Sequence, residues 1–250
     1  MNSLPVILAA GLGIRLGKKY NFKPKCLLEI ESKTLIENTI DLLIKNNFKK
    51  VIIIIGYKKN LIKKKLSKIE NNIQIQYVEN KLYNKSGHGL SIFNAIKSLK
   101  FKQNILIIHG DLYYDNKIFD LIFKTKVKNF LLVDRKYKIR TKDEMLVTGN
   151  KNYVSSIQKY NKNLSNIIGE IVGINLWSKS FQQKYILFCT RYFKKNGFNY
   201  NWEKILDEMI KLDKNILIKY KDINNKSWIN INYEEDIKIA KKIKLSQNNL

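Results

Sequence analysis

Cysteine, proline, long apolar runs and acidic residues are all scarce in this 250-residue chain, and each scarcity narrows what it can be. The two cysteines, Cys26 and Cys189, stand far apart and in no Cys-x-x-Cys or Cys/His ligand spacing. Neither a zinc site nor a disulfide framework is indicated, and two buried thiols are expected. Two prolines and no low-complexity stretch leave no linker on which to divide the chain, and no internal repeat is visible. Residues 1–250 therefore read as a single domain with one sizeable α/β core. No apolar run approaches the length of a membrane helix, and the first 30 residues lack a basic start followed by a long apolar segment. These features predict a cytoplasmic protein without membrane insertion. The last residues, 246–250, are expected to fray.

Acidic residues number 21 against 47 lysines and arginines, for a net charge of +26. Such a balance by itself suggests nucleic acid or an anionic surface as partner. The lysines, however, are spread through almost every segment, and the densest run, Lys58, Lys59 and Lys63 to Lys65, falls in a predicted surface helix. A general compositional bias accounts for the charge, and no nucleic-acid partner is expected.

What the chain does have is a regular alternation. Apolar, β-branched runs recur at residues 6–8, 51–55, 73–78, 105–108 and 130–133, with helical spacing between them at 34–44 and 90–99. This predicts a mostly parallel sheet covered by helices. From about residue 145 the pattern changes to shorter strands at 145–148, 154–157 and 171–176, which are expected to pair antiparallel and cap one end of the sheet. Helices are predicted at 181–195 and 201–212, strands at 216–218 and 228–231, and a closing amphipathic helix at 233–243.

The first run ends in Leu8-Ala9-Ala10-Gly11-Leu12-Gly13-Ile14-Arg15, and Pro24-Lys25 follows shortly after. Gly11 and Gly13 let backbone amides turn inward on a phosphate. Arg15 can grip two phosphate oxygens in a planar fork, and Lys25 supplies a compact charge to a second phosphate. A dinucleotide site is disfavoured, because Leu16 stands where the third glycine of Gly-x-Gly-x-x-Gly belongs and Gly56-Tyr57 replace an acid after the second strand. After the run at 105–108 comes His109-Gly110-Asp111, which places Asp111 past a strand's carboxyl end as a candidate Mg²⁺ ligand. His109 reads as structural, and Asp115 as a turn or helix cap.

Taken with Trp228 to Asp236, these motifs occur in an order that resembles the sugar-nucleotidyltransferase superfamily, over nearly the whole chain. Within it, the stretch from Asn80 to Gly89, Asp143-Glu144-Met145 and Gly169-Glu170-Ile171-Val172-Gly173 look most like choline-phosphate and 2-aminoethylphosphonate cytidylyltransferases. The resemblance implies a Rossmann-like, mostly parallel central sheet flanked by helices, with a small antiparallel acceptor-binding lobe (nucleotidyltransferase type A-like) and acceptor-side elements mainly in 135–232. It also implies that Leu8, Ala9, Ala10, Gly11 and Gly13 line the nucleotide, that Ser86 and Gly87 lie beside the cytosine, and that Arg15 and Lys25 are the catalytic cations. Asp111 would bind Mg²⁺. Where the superfamily carries its second metal-binding acid, this chain reads Trp228-Ile229-Asn230-Ile231-Asn232, so Asn232 would offer a neutral carbonyl oxygen instead.

An amine or quaternary ammonium on the acceptor would need carboxylates or aromatic faces, and Asp134, Asp143, Glu144 and Glu170 with Trp228, Trp177 and Trp202 are available. The resulting expectation is a cytidylyltransferase acting on CTP and a small phosphate- or phosphonate-bearing acceptor with Mg²⁺, with a homodimer left open. Two rivals remain: a sugar-1-phosphate nucleotidyltransferase using UTP or dTTP, and a non-catalytic nucleotide- or nucleic-acid-binding relative.

Overall fold

The computed structural model describes residues 3–17, 20, 22–99 and 103–243, so the tail expected to fray lies outside the described residues. Four parallel strands, β1 (Ser3–Ala9), β4 (Lys50–Ile55), β5 (Gln74–Glu79) and β6 (Asn104–His109), lie in the order β5-β4-β1-β6. They read as unbroken apolar runs because both sheet faces are covered. In β4, Ile52 and Ile54 join a core with helices α3 (His88–Leu99), α5 (Lys179–Asn196) and α6 (Trp202–Leu212). Their neighbours Val51, Ile53 and Ile55 point the other way, toward α1 (Leu35–Lys45), α2 (Lys59–Leu66) and α4 (Lys117–Phe123). β5 is the edge strand, which explains why its side chains stay half-exposed while those of β4 are buried.

Beyond β6 the sheet turns antiparallel. The eleven-residue β11 (Ile167–Trp177) pairs with β6 through its second half and with β9 (Met145–Gly149) through its first. β9 in turn pairs with β10 (Val154–Lys159), and this hairpin forms the antiparallel extension that the change of pattern predicted. On its other edge β11 pairs with β8 (Phe130–Asp134), which carries β12 (Lys219–Asp222) in parallel. The strand expected at 216–218 therefore begins three residues later. Ile216 and Ile218 are buried, yet they lie on the approach, whereas the pairing falls on the polar Lys219–Asp222 at the sheet's edge.

β13 (Trp228–Asn230), expected from the sequence at 228–231, and three strands too short to show a period, β2 (Glu29–Ile30), β3 (Lys33–Thr34) and β7 (Leu112–Tyr114), form two small ribbons, β2 with β3 and β7 with β13. They matter because a third apolar cluster joins them: Leu16, Leu28, Ile30, Tyr113, Ile229 and Ile231 pack with Ile237 and Ala240 of the closing helix α7 (Glu234–Lys242). Each of Leu16, Ile229 and Ile231 sits next in sequence to a polar residue discussed below, so this cluster fixes where those polar side chains stand. α1 starts on a reciprocal cap, with Thr34 Oγ1 accepting from the Glu37 amide and the Thr34 amide donating to Glu37 Oε2. Cys26 and Cys189 are buried free thiols, and burial pushes both up to about 12.

Candidate active site

A cleft of about 720 Å³ opens at the carboxyl ends of β1 and β6. Its floor is the loop after β1. Tyr57 donates its amide to Ala10 O at 3.2 Å, tying the loop to the end of β4. Gly13 then takes φ 68°, a left-handed turn that opens the short 3-10 segment Ile14–Leu16 and brings the chain hard against Lys25. Lys25 itself begins a second 3-10 turn, Lys25–Leu27, launched by Pro24 and pinned from below by buried Cys26 and Leu27. Gly11 has open space where a Cβ would stand, so the cleft approaches bare backbone there.

From the other side, β6 ends at His109. Gly110 packs directly on β1, its amide bonded to Leu8 O at 3.0 Å, and a Cβ would lie 2.6 Å from that oxygen. This close approach delivers Asp111 into the cleft. The Asp111 carbonyl accepts from the Ile231 amide at 2.9 Å, which registers the segment after β13 opposite it and sets Asn232 across from Asp111.

The polar side chains form one connected chain. Lys25 Nζ donates to Asp111 Oδ2 at 2.8 Å and to Asn232 Oδ1 at 2.9 Å. Arg15 donates to the same Asn232 oxygen at 2.8 Å and to Asp143 Oδ2 at 3.2 Å. Asp143 is also bonded by Lys159 and by the Tyr233 hydroxyl, and these bonds hold its carboxyl down to about 2. Burial is the largest single influence on the Asp111 carboxyl and raises it, but the neighbouring groups, Lys25 by charge and hydrogen bond together with His109 and Arg15, outweigh it and keep the group below its ordinary range. Arg15, Lys25, Asp111, Asp143 and Asn232 are thus brought together in one place, although Arg15 and Asn232 lie 217 residues apart in sequence.

The Ser86-Gly87 segment forms another wall. Gly87 donates to Phe198 O at 3.0 Å, and a Cβ there would meet the Tyr200 backbone at 2.3 Å. Ser86 Oγ accepts from Asn80, which also donates to Ser91. Asn80, which opens the Asn80 to Gly89 motif, lines this part of the cleft with Asn199 and Asn201, and the last two carried no sequence signal of their own.

A second cavity of about 60 Å³ continues from the cleft. His109, Asp143, Met145, Glu203, Asn230 and Asn232 line both. Glu144 and Glu170 line the small one alone. Burial pushes Glu170 up to about 8, with Glu144 adding to the rise, and burial likewise pushes Glu203 up to about 8. Glu203 is a site residue that sequence reading missed. It arrives on the first turn of α6, and only the packing of α6 over the end of β6 shows that it faces His109.

Two acceptor candidates lie elsewhere. Trp228 donates its indole N–H to Asp134 Oδ2 at 3.0 Å, and neither residue lines the cleft or the small cavity. The two satisfy each other where the β13 segment crosses the end of β8. Trp177 and Trp202 are fully buried and packed edge-on against each other in the core. No tryptophan therefore offers an aromatic face to the small cavity among the described residues.

His88, His109 and Glu203 place potential metal-ligating atoms within 4.8 Å of one another. Trp202 already uses both rings: its indole donates to His109 Nε2 at 2.8 Å and its amide to His88 Nδ1 at 3.4 Å. Burial holds His88 down to about 3, so both rings are neutral acceptors that lock α6 to the sheet. The structural reading of His109 fits this arrangement.

Residues 5–125 match the MobA-like NTP transferase domain. The chain is a nucleotidyltransferase. It is 23% identical to the CTP:phosphoglutamine cytidylyltransferase of Campylobacter jejuni, across 94% of this chain and 97% of the relative. With the choline-phosphate cytidylyltransferase of Streptococcus pneumoniae it shares 26% identity over 82% of this chain and 84% of that protein. The solved inositol-1-phosphate CTP transferase of T. maritima superposes with a TM-score of 0.77 at 17% identity, covering 97% of each chain, and shows the same fold.

Proposed function

We propose that this nucleotidyltransferase joins a cytidylyl group from CTP to a small phosphorylated or phosphonylated acceptor and releases pyrophosphate. The observation that carries the reading is the Lys25 ammonium, half-buried at the point where the phosphate-binding loop, Asp111 and Asn232 converge. A cation there serves two anionic reactants at once, and two relatives that match most of the chain bear the names of cytidylyltransferases.

In the proposed reaction an acceptor phosphate or phosphonate oxygen forms a new bond to the α-phosphorus of CTP while the bond to the β-phosphate bridging oxygen breaks. The electron pair leaves with pyrophosphate. That nucleophile is already anionic, so no general base is required. Catalysis rests on positioning and charge: loop amides at Gly11 to Gly13 and the Arg15 guanidinium hold the triphosphate, and Lys25 stands between the reactants. Arg15 and Lys25 now spend their hydrogen bonds on Asp143, Asp111 and Asn232, and incoming phosphates would replace those partners.

Divalent metals are common in this family, and the residues fit one. Asp111 Oδ2 and Asn232 Oδ1 are hard oxygens that converge on a single cation, and Asp111 is held ionised. These two would hold Mg²⁺, which neutralises charge on the triphosphate when bound. Ser86, Gly87 and the amides of Asn80, Asn199 and Asn201 form the wall proposed to meet the cytosine edge. Pyrophosphate release with each of four nucleoside triphosphates, crossed against amino-alkyl phosphates, phosphonates and sugar 1-phosphates, tests the reading. CTP is expected to be used at least tenfold better than UTP, and preference for UTP or dTTP with a sugar phosphate would replace it.

A further inference from the structure

Lys25 occupies the gap between the two oxygens proposed to hold the metal. Its ammonium lies 2.8 Å from Asp111 Oδ2 and 2.9 Å from Asn232 Oδ1. Arg15 Nη2 donates to that same Asn232 oxygen at 2.8 Å. An amide carbonyl oxygen has two lone pairs, so these two donors take up all that Asn232 Oδ1 offers. Asp111 Oδ1 alone would give a divalent ion only one protein oxygen. Both Lys25 and Asp111 are partly buried, which limits how far water can stand in for a displaced partner.

A divalent ion and the Lys25 ammonium therefore compete for one pair of oxygens. Mg²⁺ takes its ligands at about 2.0–2.1 Å. Against two oxygens that also touch an ammonium, it would stand within about 4 Å of that nitrogen, a separation at which like charges repel strongly. The neutral Asn232 oxygen returns less to a hard cation than a carboxylate does. The surroundings add to the repulsion, since Arg15, Lys25 and Lys159 together face the carboxylates of Asp111 and Asp143. A triphosphate changes this balance, because its charged oxygens give Lys25 and Arg15 better acceptors than an amide.

We infer that Lys25 is a built-in counter-cation: with Arg15 it closes Asp111 and Asn232 to metal until the phosphates of a nucleotide draw both side chains away. Metal and nucleotide binding are thereby coupled, and the coupling is reciprocal. Whatever takes Lys25 off Asp111 favours the ion, and the ion in turn favours Lys25 on phosphate. The amide at position 232 suits such an exchange, because a carboxylate there would hold both cations as ion pairs. The inference rests on the metal-assisted part of the nucleotidyl-transfer reading and adds to it why the protein alone refuses the ion. It does not depend on which base or acceptor is used.

The test measures Mn²⁺ binding to the protein by water-proton relaxation, with no nucleotide or acceptor present. Lys25→Met and Lys25→Ala should each bind Mn²⁺ about tenfold or more tightly than the wild type. Arg15→Met, which removes one donor from Asn232 Oδ1 but leaves Lys25 on Asp111, should gain about threefold at most. Lys214→Met, at an exposed lysine outside the cleft, controls for the loss of one positive charge and should change nothing. Adding Asp111→Asn to either Lys25 variant should abolish the gain, with circular dichroism confirming the fold of each protein. Wild-type binding as tight as that of the Lys25 variants, or equal gains from Lys25→Met and Arg15→Met, overturns the exchange. A gain that survives Asp111→Asn, or no Mn²⁺ binding by any variant, overturns the exchange together with the choice of Asp111 and Asn232 as metal ligands. Cytidylyl transfer is judged separately, by the pyrophosphate assay with four nucleotides.

Discussion

Lys25 is held between two oxygens that it does not need for folding, and this makes it the most direct probe of the chemistry. Its stem is packed by the turn at Cys26 and Leu27, while its ammonium bonds, among the described residues, to Asp111 and Asn232. Lys25→Ala is expected to lower turnover about 100-fold or more, by analogy with removal of a charge-stabilising donor at other sites. The melting temperature should fall by only a few degrees, and near-normal turnover would take Lys25 out of the reaction. Glu203 presents the opposite case, a residue whose burial works against stability. Its carboxyl is raised from 4.5 to about 8 by burial, so folding favours the neutral form. The folded state then binds more protons than the unfolded one between about pH 4.5 and pH 8, and stability falls as pH rises through that window, by at most about 1.4 kcal/mol per pH unit. A glutamine never ionises. Glu203→Gln should therefore gain stability over the wild type at pH 8 and lose that advantage by pH 5, as read from urea midpoints. Glu170 titrates in the same range but is present in both proteins and cancels in the difference. A constant difference at the two pH values would show that Glu203 is ionised throughout. At this scale the sequence showed residues whose neighbours announce them: Arg15 and Lys25 belong to a short glycine- and proline-marked segment, and Asp111 follows an apolar strand. It did not show Glu203, whose surroundings are set by a helix packed 94 positions after His109.

The elements of the site differ in why they carry glycine, and that difference can be measured. At Gly110 the backbone lies so close to β1 that a Cβ would press 2.6 Å from Leu8 O, a contact with main chain that cannot give way. Gly11, in contrast, faces open space, and its φ is not in the left-handed region. Gly110→Ala is expected to destabilise the fold by about 2 kcal/mol or more, the size of other packing errors in a core. Gly11→Ala should fold with nearly unchanged stability and raise KM for the nucleotide, because its methyl group projects into the cleft. Thermal melts together with nucleotide KM values check both, and loss of folding in Gly11→Ala would mean that its loop is packed rather than open. The long strands and helices were readable because each buries a periodic face. The strands β2, β3 and β7 were not, since two or three residues carry no period, and although a strand at 228–231 was expected, nothing in the sequence showed that β13 pairs with β7 and that the segment after it registers Asn232 against Asp111. Asp134 and Trp228, expected at the acceptor, stand outside the cleft and the small cavity, and side-chain type gave no sign that the two bond to each other across the ends of β8 and β13.

For the molecule as a whole, the charge of +26 and the specific site make different demands on an anionic ligand. Lysines scattered over the surface attract every nucleoside triphosphate alike, and that attraction is screened by salt. The cleft instead offers a fixed loop, two cations already oriented, and a wall of amide and hydroxyl groups from Asn80, Ser86 and Asn201. Only this second contribution can tell one base from another. The fold class was legible because continuous apolar strands alternating with amphipathic helices allow few arrangements other than a covered parallel sheet. Of the wall, Ser86 and Gly87 were expected beside the base, whereas Asn201 was not, because it comes to the cleft only where α6 packs over α3. CTP with Mg²⁺, at about 100 times its dissociation constant, should stabilise the native state by about 2.7 kcal/mol. For a chain of this size that corresponds to a rise in melting temperature of roughly 5–10 °C. ATP and GTP, which share only the triphosphate, should give less than half that rise at the same concentration in 0.15 M salt. Their shifts should also shrink further at 0.5 M salt, while much of the CTP shift persists. Equal shifts for purines and CTP at both salt concentrations would mean that the cleft holds phosphates without reading the base.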